Sequence, residues 1–129
     1  MDDLKECPVT LSEVFRSRSV VRNYVKPTQL LHCEGLSRLI GADVFIKHEN
    51  HNPTGSFKIR GGVNLMYHLS RKGIKGVTTF STGNHGLSIV TAAKWFGLNA
   101  IVVVPKGNNP VKNRAIIENG GELVEAEFL

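Results

Sequence analysis

The sequence predicts an α/β fold with a parallel twisted sheet and helices on both faces, and three observations predict it. From Val77 onward, strand-like and helix-like segments alternate at roughly 20-residue spacing, the rhythm of a parallel sheet with right-handed crossovers. The run Ala100–Val104 is apolar without alternation, as expected of a strand covered on both faces. The 13 glycines and 5 prolines fall mostly at segment ends, where an α/β chain turns. A chain of 129 residues is long enough for one sizeable core.

The elements follow in order. Thr10-Leu11-Ser12-Glu13 is a capping box that opens a helix to about Ser19. Tyr24–Leu31 contains Pro27 and reads as extended or turned. A short helix over about Cys33–Ile40 stops at Gly41, a position suited to left-handed backbone. Asp43–Glu49 reads as a strand, with Val44 and Ile46 on one face and Phe45 and Lys47 on the other. Asn52-Pro53-Thr54-Gly55 is a turn signal. A helix from about Ser56 to Arg71 follows, its Ile59, Val63, Met66 and Leu69 recurring three or four apart on one buried face. Gly61-Gly62 inside it costs about 1 kcal/mol per glycine in helix propensity, so a neighbour is expected to pack close there. Val77–Phe80 is a strand, Leu87–Phe96 a helix ended by Gly97, and Ala100–Val104 a second strand. Asn109-Pro110 supplies a cap and a proline at the first helical position. That helix runs to about Asn119 and breaks at Gly120-Gly121, and Glu122–Ala126 begins a third strand. A parallel strand normally feeds a covering helix, so the sheet is expected to be completed by further chain, its own or a partner's.

Sixteen basic against eleven acidic residues give a formal net charge of +5 with no block of like charges. Arg16, Arg18 and Arg22 fit a solvated helix face, so nucleic acid is not an expected partner. An anionic small molecule is the likelier beneficiary of the positive field. Cys7 and Cys33 form no CxxC and match no zinc spacing, and read as reduced, structural thiols. His48 and His51 have no third ligand of fitting spacing, so no metal site is expected. The N-terminus carries no apolar run resembling a signal peptide, and Ala100–Val104 is far too short to span a bilayer. A cytoplasmic protein is expected. His32 and His68 read as surface or cap residues, and Trp95 and Phe96 as core. Arg60 holds either an acidic cofactor group or a neighbouring carboxylate.

Two motifs carry chemistry. Pro53-Thr54-Gly55-Ser56-Phe57-Lys58 delivers a single lysine to the first turn of a helix through a tight turn. The helix dipole disfavours a cation at that end, and a reactive lysine requires a destabilised ammonium. A lone lysine is also an ordinary surface residue, so the context has to decide. Ser81-Thr82-Gly83-Asn84-His85-Gly86 places backbone N–H groups, two hydroxyls and a carboxamide where a strand hands over to a helix. Such a nest suits an anion; alone it is equally a turn with a capping residue. It matches neither the dinucleotide fingerprint nor the Walker loop.

Together the two motifs, within Lys47-His48-Glu49-Asn50-His51-Asn52-Pro53-Thr54-Gly55-Ser56-Phe57-Lys58-Ile59-Arg60-Gly61 and Ser81–Gly86, resemble the fold-type-II pyridoxal-phosphate enzymes. The resemblance is greatest to the serine/threonine dehydratase and serine racemase branch, and runs from about Leu11 to the end of the chain. It implies a tryptophan synthase beta-like fold, truncated. Residues 1–50 would belong to the large domain, and residues 51–129 would form an incomplete small αβ domain. It implies pyridoxal 5′-phosphate as cofactor, carried by Lys58 as an internal aldimine, with Phe57 and Asn84 also at the cofactor. Asn84 would hydrogen-bond the cofactor's 3′-oxygen, and Ser81, Thr82, Gly83 and His85 would surround the substrate carboxylate. Lys58 would also remove the α-proton.

The departures from the family are informative. Where serine racemases carry a serine proposed as acid/base, this chain has Thr82, a catalytic candidate that keeps the hydroxyl and adds a methyl. His85 points to the dehydratase and racemase side. The family's frequent Thr-Pro-Leu stands here as Thr28-Gln29-Leu30. The glycine-rich phosphate loop, and the Ser or Cys at the pyridine nitrogen, have no match in the sequence. The implied activity of the full-length protein is an ammonia-lyase converting L-serine or L-threonine to a 2-oxo acid and ammonia. Serine racemase or threonine-synthase-like activity are alternatives. The isolated 129 residues are expected to be inactive, as a fragment or half of a split enzyme, and to self-associate or bind a partner chain.

Overall fold

The computed structural model describes residues 9–127. Cys7, read above as a reduced thiol, lies outside them. Helix α1 spans Leu11–Val21, strand β1 Leu30–His32, α2 Glu34–Ile40 and β2 Phe45–Lys47. A 3-10 turn at Glu49–His51 leads to α3, Lys58–Arg71. The remainder alternates: β3 Gly76–Phe80, α4 Asn84–Phe96, β4 Asn99–Pro105, α5 Pro110–Glu118 and β5 Glu122–Ala126.

The capping box forms as expected. Thr10 Oγ1 accepts from the Glu13 amide at 3.2 Å, and the Glu13 carboxylate accepts from the Thr10 amide at 3.0 Å. Helix α1 extends two residues beyond Ser19 because Val20 and Val21 pack into the core. The stretch expected to be extended or turned contains a strand. Its Leu30, Leu31 and His32 pair antiparallel with Lys47, Ile46 and Phe45. Strand β2 is shorter than Asp43–Glu49 because Glu49 turns into the 3-10 segment, where its carboxylate meets Arg60. Gly41 ends α2 and Gly97 ends α4 in left-handed backbone, at φ 76° and 68°. Cys33 is a free thiol at the start of α2.

Strands β3, β4 and β5 form a parallel sheet in that order, with Phe80 opposite Val103 and Val104 opposite Glu125. Neighbouring parallel strands linked in one direction by right-handed crossovers place both connecting helices on one face. Helices α4 and α5 indeed meet around Gly121, where an added Cβ would lie 2.5 Å from Val90 and 3.1 Å from Ile116. Ala100, Val102 and Val104 are buried beneath them. On the sheet's other face Phe80 and Val124 are exposed and Ile101 and Val103 half-buried. The two faces of β4 are thus equally apolar, which is why its sequence shows no alternation, although among the described residues only one face carries helices.

Helix α3 packs on α4 through Ile59, Val63 and Met66, all fully buried. The close neighbour expected at Gly61-Gly62 is found at the second glycine. A Cβ on Gly62 would lie 2.7 Å from the Ser88 carbonyl oxygen, whereas one on Gly61 would meet nothing within 4 Å. Among the described residues no helix is long and apolar enough to cross a membrane.

Candidate active site

Three helix N-termini converge at the carboxyl ends of β3 and β4. Helices α3 and α4 run side by side in the same direction. Lys58 shares a cavity with His85, Gly62 abuts Ser88, and the rings of Tyr67 and Phe96 are 6.1 Å apart. Contacts therefore advance together along both helices, and Lys58 and Asn84 open them at the same end. Helix α5 joins through Lys112, whose Nζ donates to Asn84 Oδ1 at 2.9 Å. Open parallel sheets bind ligands at this end of their strands, and helix N-termini attract anions there.

The lysine turn is shaped by Gly55 in left-handed backbone (φ 67°) and by Asn52, whose carbonyl accepts from the Gly55 amide at 2.8 Å. Phe57 occupies the N-cap position, so α3 starts at Lys58 rather than Ser56. Lys58 Nζ lies 5.2 Å from the centroid of the exposed Phe57 ring. Just before it, Thr54 Oγ1 and Ser56 Oγ are buried and make no hydrogen bond among the described residues. A cavity of about 460 Å3 is walled by Phe57, Lys58, Gly62, Leu65, His85 and Ile89, among others. A larger cavity of about 530 Å3 faces α1, where Val14, Val21 and Val25 alternate with Ser17, Arg18 and Arg22 along its wall. The lysine that lines it, Lys47, is engaged, its Nζ donating to the Thr28 carbonyl, whereas Lys58 in the smaller cavity has no such acceptor among the described residues.

In the loop after β3, the buried Ser81 Oγ accepts from the amides of Gly86 at 2.8 Å and Gly83 at 3.2 Å. Its hydroxyl staples the loop. Gly86 is required by this closeness, since a Cβ there would lie 2.9 Å from Val102 and 3.2 Å from Ser81 Cβ. Helix α4 begins at Asn84, three residues before Leu87, so Asn84 and His85 stand in its first turn. Their own amides find no acceptor among the described residues, as first-turn N–H groups do unless capped. The structure thus brings Lys58, Phe57 and His85 to one cavity. Thr82 and Asn84 are exposed and Gly83 half-buried beside it, outside its lining.

Sequence reasoning missed the network that holds the lysine turn. Arg60 is met by a neighbouring carboxylate: its Nε and a terminal nitrogen donate to the two oxygens of Glu49, at 2.7 and 3.0 Å. Thr28 Oγ1 donates to Glu49 at 2.5 Å and Asn52 Nδ2 at 2.6 Å. Arg60 together with Thr28 and Asn52 pushes the Glu49 carboxyl down from 4.5 to about 2, burial opposing. The network ties residues 26–28, the 3-10 turn and the first turn of α3 into one unit. A folded-state pKa held below 4.5 favours the folded state while Glu49 is ionised. That stabilisation is complete above pH 4.5 and is lost as the pH falls through about 2. Glu49→Gln is therefore expected to destabilise the full-length protein by about 1–3 kcal/mol at pH 7. Thermal unfolding compared with the unaltered protein should show that gap narrowing between pH 4.5 and 2; a gap independent of pH would refute the assignment.

His48 and His51 stack at 5.0 Å between ring centroids. Among the described residues no three His, Cys, Asp or Glu side chains gather in a way that could hold a metal ion.

A lysine and a polar loop brought together at the carboxyl end of a parallel sheet belong to a fold shared with the fold-type-II pyridoxal-phosphate enzymes. The sequence pattern described as "Pyridoxal-phosphate dependent enzyme" matches residues 21–127, and the chain belongs to that family. It is 38% identical over 99 residues to an L-threonine ammonia-lyase of Thermotoga maritima, covering 76% of this chain and 25% of that protein. It is 33% identical over 120 residues to a serine racemase of Dictyostelium discoideum, covering 92% of this chain and 37% of that protein. The solved structure of a pyridoxal 5′-phosphate-dependent aspartate racemase superposes at a TM-score of 0.90 with 30% identity, over 96% of this chain and 40% of the other. The chain therefore spans between a quarter and two fifths of the proteins it is compared with.

Pyridoxal phosphate is the cofactor of this family, and the residues present fit it. An amine stands at the cavity wall and, among the described residues, two buried hydroxyls of the turn that leads to it lack partners and two amides at the α4 N-terminus lack acceptors.

Proposed function

We propose that the full-length protein is a pyridoxal-phosphate-dependent ammonia-lyase that converts L-serine or L-threonine to a 2-oxo acid and ammonia. The observation that carries this reading is Lys58 at the N-terminus of α3, sharing a cavity with His85 at the N-terminus of α4. Bound pyridoxal phosphate supplies an electron sink conjugated to the substrate α-carbon. Lys58 Nζ and the Phe57 ring would hold the cofactor. With the cofactor and substrate bound, Lys58 Nζ would be the base that takes the substrate α-proton. Asn84 would hold the cofactor ring through its carboxamide. Thr82, Gly83 and His85 receive the substrate carboxylate, and the Ser81 hydroxyl serves by holding the loop that aims their amides.

The resemblance to serine racemases is nearly as strong as that to threonine ammonia-lyases, and the Thr82 hydroxyl is exposed beside the site. Racemisation, with Thr82 as the acid on the face opposite Lys58, is the second reading. Residues 51–129 form the small domain in either case, consistent with the separate two-stranded and three-stranded sheets. The exposed Leu39 and Ile40 of α2 and the bare face of the sheet support a cover supplied by further chain, its own or a partner's. The 129 residues alone are proposed not to turn over substrate, because they contain no glycine-rich phosphate cradle.

Borohydride reduction of the full-length protein loaded with pyridoxal phosphate, followed by peptide mass mapping, should place the pyridoxyl group on Lys58. A label on another lysine, or no label, would end the proposal. The same preparation given L-serine is expected to release pyruvate in excess over D-serine; the reverse excess would favour the racemase reading.

A further inference from the structure

Lys112 stands in the first turn of α5, two residues after Pro110. A cation there is opposed by the helix dipole. No acidic residue lies in that turn and, among the described residues, Lys112 forms no ion pair. Its ammonium instead reaches across to α4 and donates to Asn84 Oδ1 at 2.9 Å, between residues 28 apart in sequence. The same α5 turn is fixed by Asn109, whose Oδ1 accepts from the amides of Val111 at 2.9 Å and Lys112 at 3.3 Å.

An ammonium can only donate, so the oxygen end of the Asn84 carboxamide must face it. The amide is thereby fixed with its NH2 end turned away from Lys112, and that NH2 makes no hydrogen bond among the described residues. An asparagine free to flip offers a ligand either an acceptor or a donor. With its oxygen engaged by a cation, it offers only a donor, and the adjacent charge polarises the amide further.

We infer that Lys112 is a positioning residue: it locks the Asn84 carboxamide so that its NH2 faces the cofactor and selects an acceptor oxygen on the pyridine ring. The inference rests on the placement of Asn84 at the cofactor ring proposed above. It makes the recognition of the ring oxygen depend on a lysine from a different helix, which never touches the cofactor itself.

The test is cofactor binding to the full-length apo-protein, comparing pyridoxal phosphate with 3-deoxypyridoxal phosphate, which lacks the ring oxygen. The unaltered protein is expected to prefer pyridoxal phosphate by roughly tenfold or more, as for a hydrogen bond to a charged group. Lys112→Met keeps the aliphatic stem and is expected to lose that preference while binding the deoxy compound nearly as before. Lys112→Arg, which still donates, is expected to keep it. Circular dichroism of each variant confirms folding.

The possible failures are separable. Equal weakening of both compounds in Lys112→Met would reduce Lys112 to a general attractor of the phosphate and overturn the inference. An unchanged preference would overturn it too. If the unaltered protein binds both compounds equally although Lys58 is labelled, Asn84 does not read the ring oxygen and the inference falls alone. If the unaltered protein binds neither, the functional proposal falls and takes the inference with it.

Discussion

Replacing Lys58 with alanine in the full-length protein is expected to lower 2-oxo acid release from L-serine and L-threonine by roughly a thousandfold or more. Removing a positioned base alone typically forfeits 10²- to 10⁴-fold, about the size expected here. The fold should hardly notice. Lys58 is exposed and lies over the equally exposed Phe57 ring, and surface changes of this kind stay within about 0.5 kcal/mol. Activity and stability are thus predicted to separate cleanly. A variant that unfolds would make Lys58 a structural residue, and one that still deaminates would remove it from the chemistry. Calorimetry and a coupled 2-oxo acid assay on one preparation settle both.

The parts of this architecture that were legible in the sequence are those whose causes lie within a few residues. Thr10 and Glu13 are three apart and cap their own helix. Gly41 and Gly97 stop helices by adopting backbone that other residues avoid. Asn109 and Pro110 start α5 by supplying a cap and a preset φ. The lysine turn and the asparagine loop were legible for the same reason, each being a short local signal.

What escaped the sequence reading depends on partners brought together by folding. Strand β1 has three residues and owes its existence to β2, fifteen or so positions away, so no periodicity could announce it. A neighbouring carboxylate is the reading favoured for Arg60, but that it is Glu49 could not be read, because the pair spans a turn whose path had to be known first. The start of α4 was placed too late because Asn84 and His85 read as loop residues. In the structure, Ser81 caps the helix from outside by accepting the Gly86 amide, and this lets the first turn close around them. The contact of Lys112 with Asn84 joins two helices that are neighbours only because the sheet orders them.

The two adjacent glycines of α3 give the sharpest structural test, because one helix position predicts opposite outcomes at neighbouring residues. Alanine is favoured over glycine within a helix by about 1 kcal/mol. At Gly61 an added Cβ meets nothing within 4 Å, so Gly61→Ala is expected to stabilise the full-length protein by up to that amount. At Gly62 the Cβ would lie 2.7 Å from the Ser88 carbonyl oxygen and 3.1 Å from its carbonyl carbon. These are backbone atoms of a buried helix and have no rotamer into which to retreat. Helix α3 must then ride up on α4, separating Ile59, Val63 and Met66 from their neighbours, and overpacking of this kind costs about 1–3 kcal/mol. The propensity gain is outweighed, and Gly62→Ala is expected to unfold at lower denaturant than the unaltered protein. Lys58 lies four residues upstream of Gly62 on α3, so the same displacement carries it away from His85 of α4, with which it lines the cavity. A shift of about 1 Å at a reacting group can cost roughly 100-fold in rate, so catalysis should fall further than stability. Denaturant unfolding and steady-state kinetics on the two alanine variants check this directly. Equal stabilisation by both substitutions, with kinetics unchanged, would mean that the contact of Gly62 with Ser88 does not set the distance between the lysine and the loop.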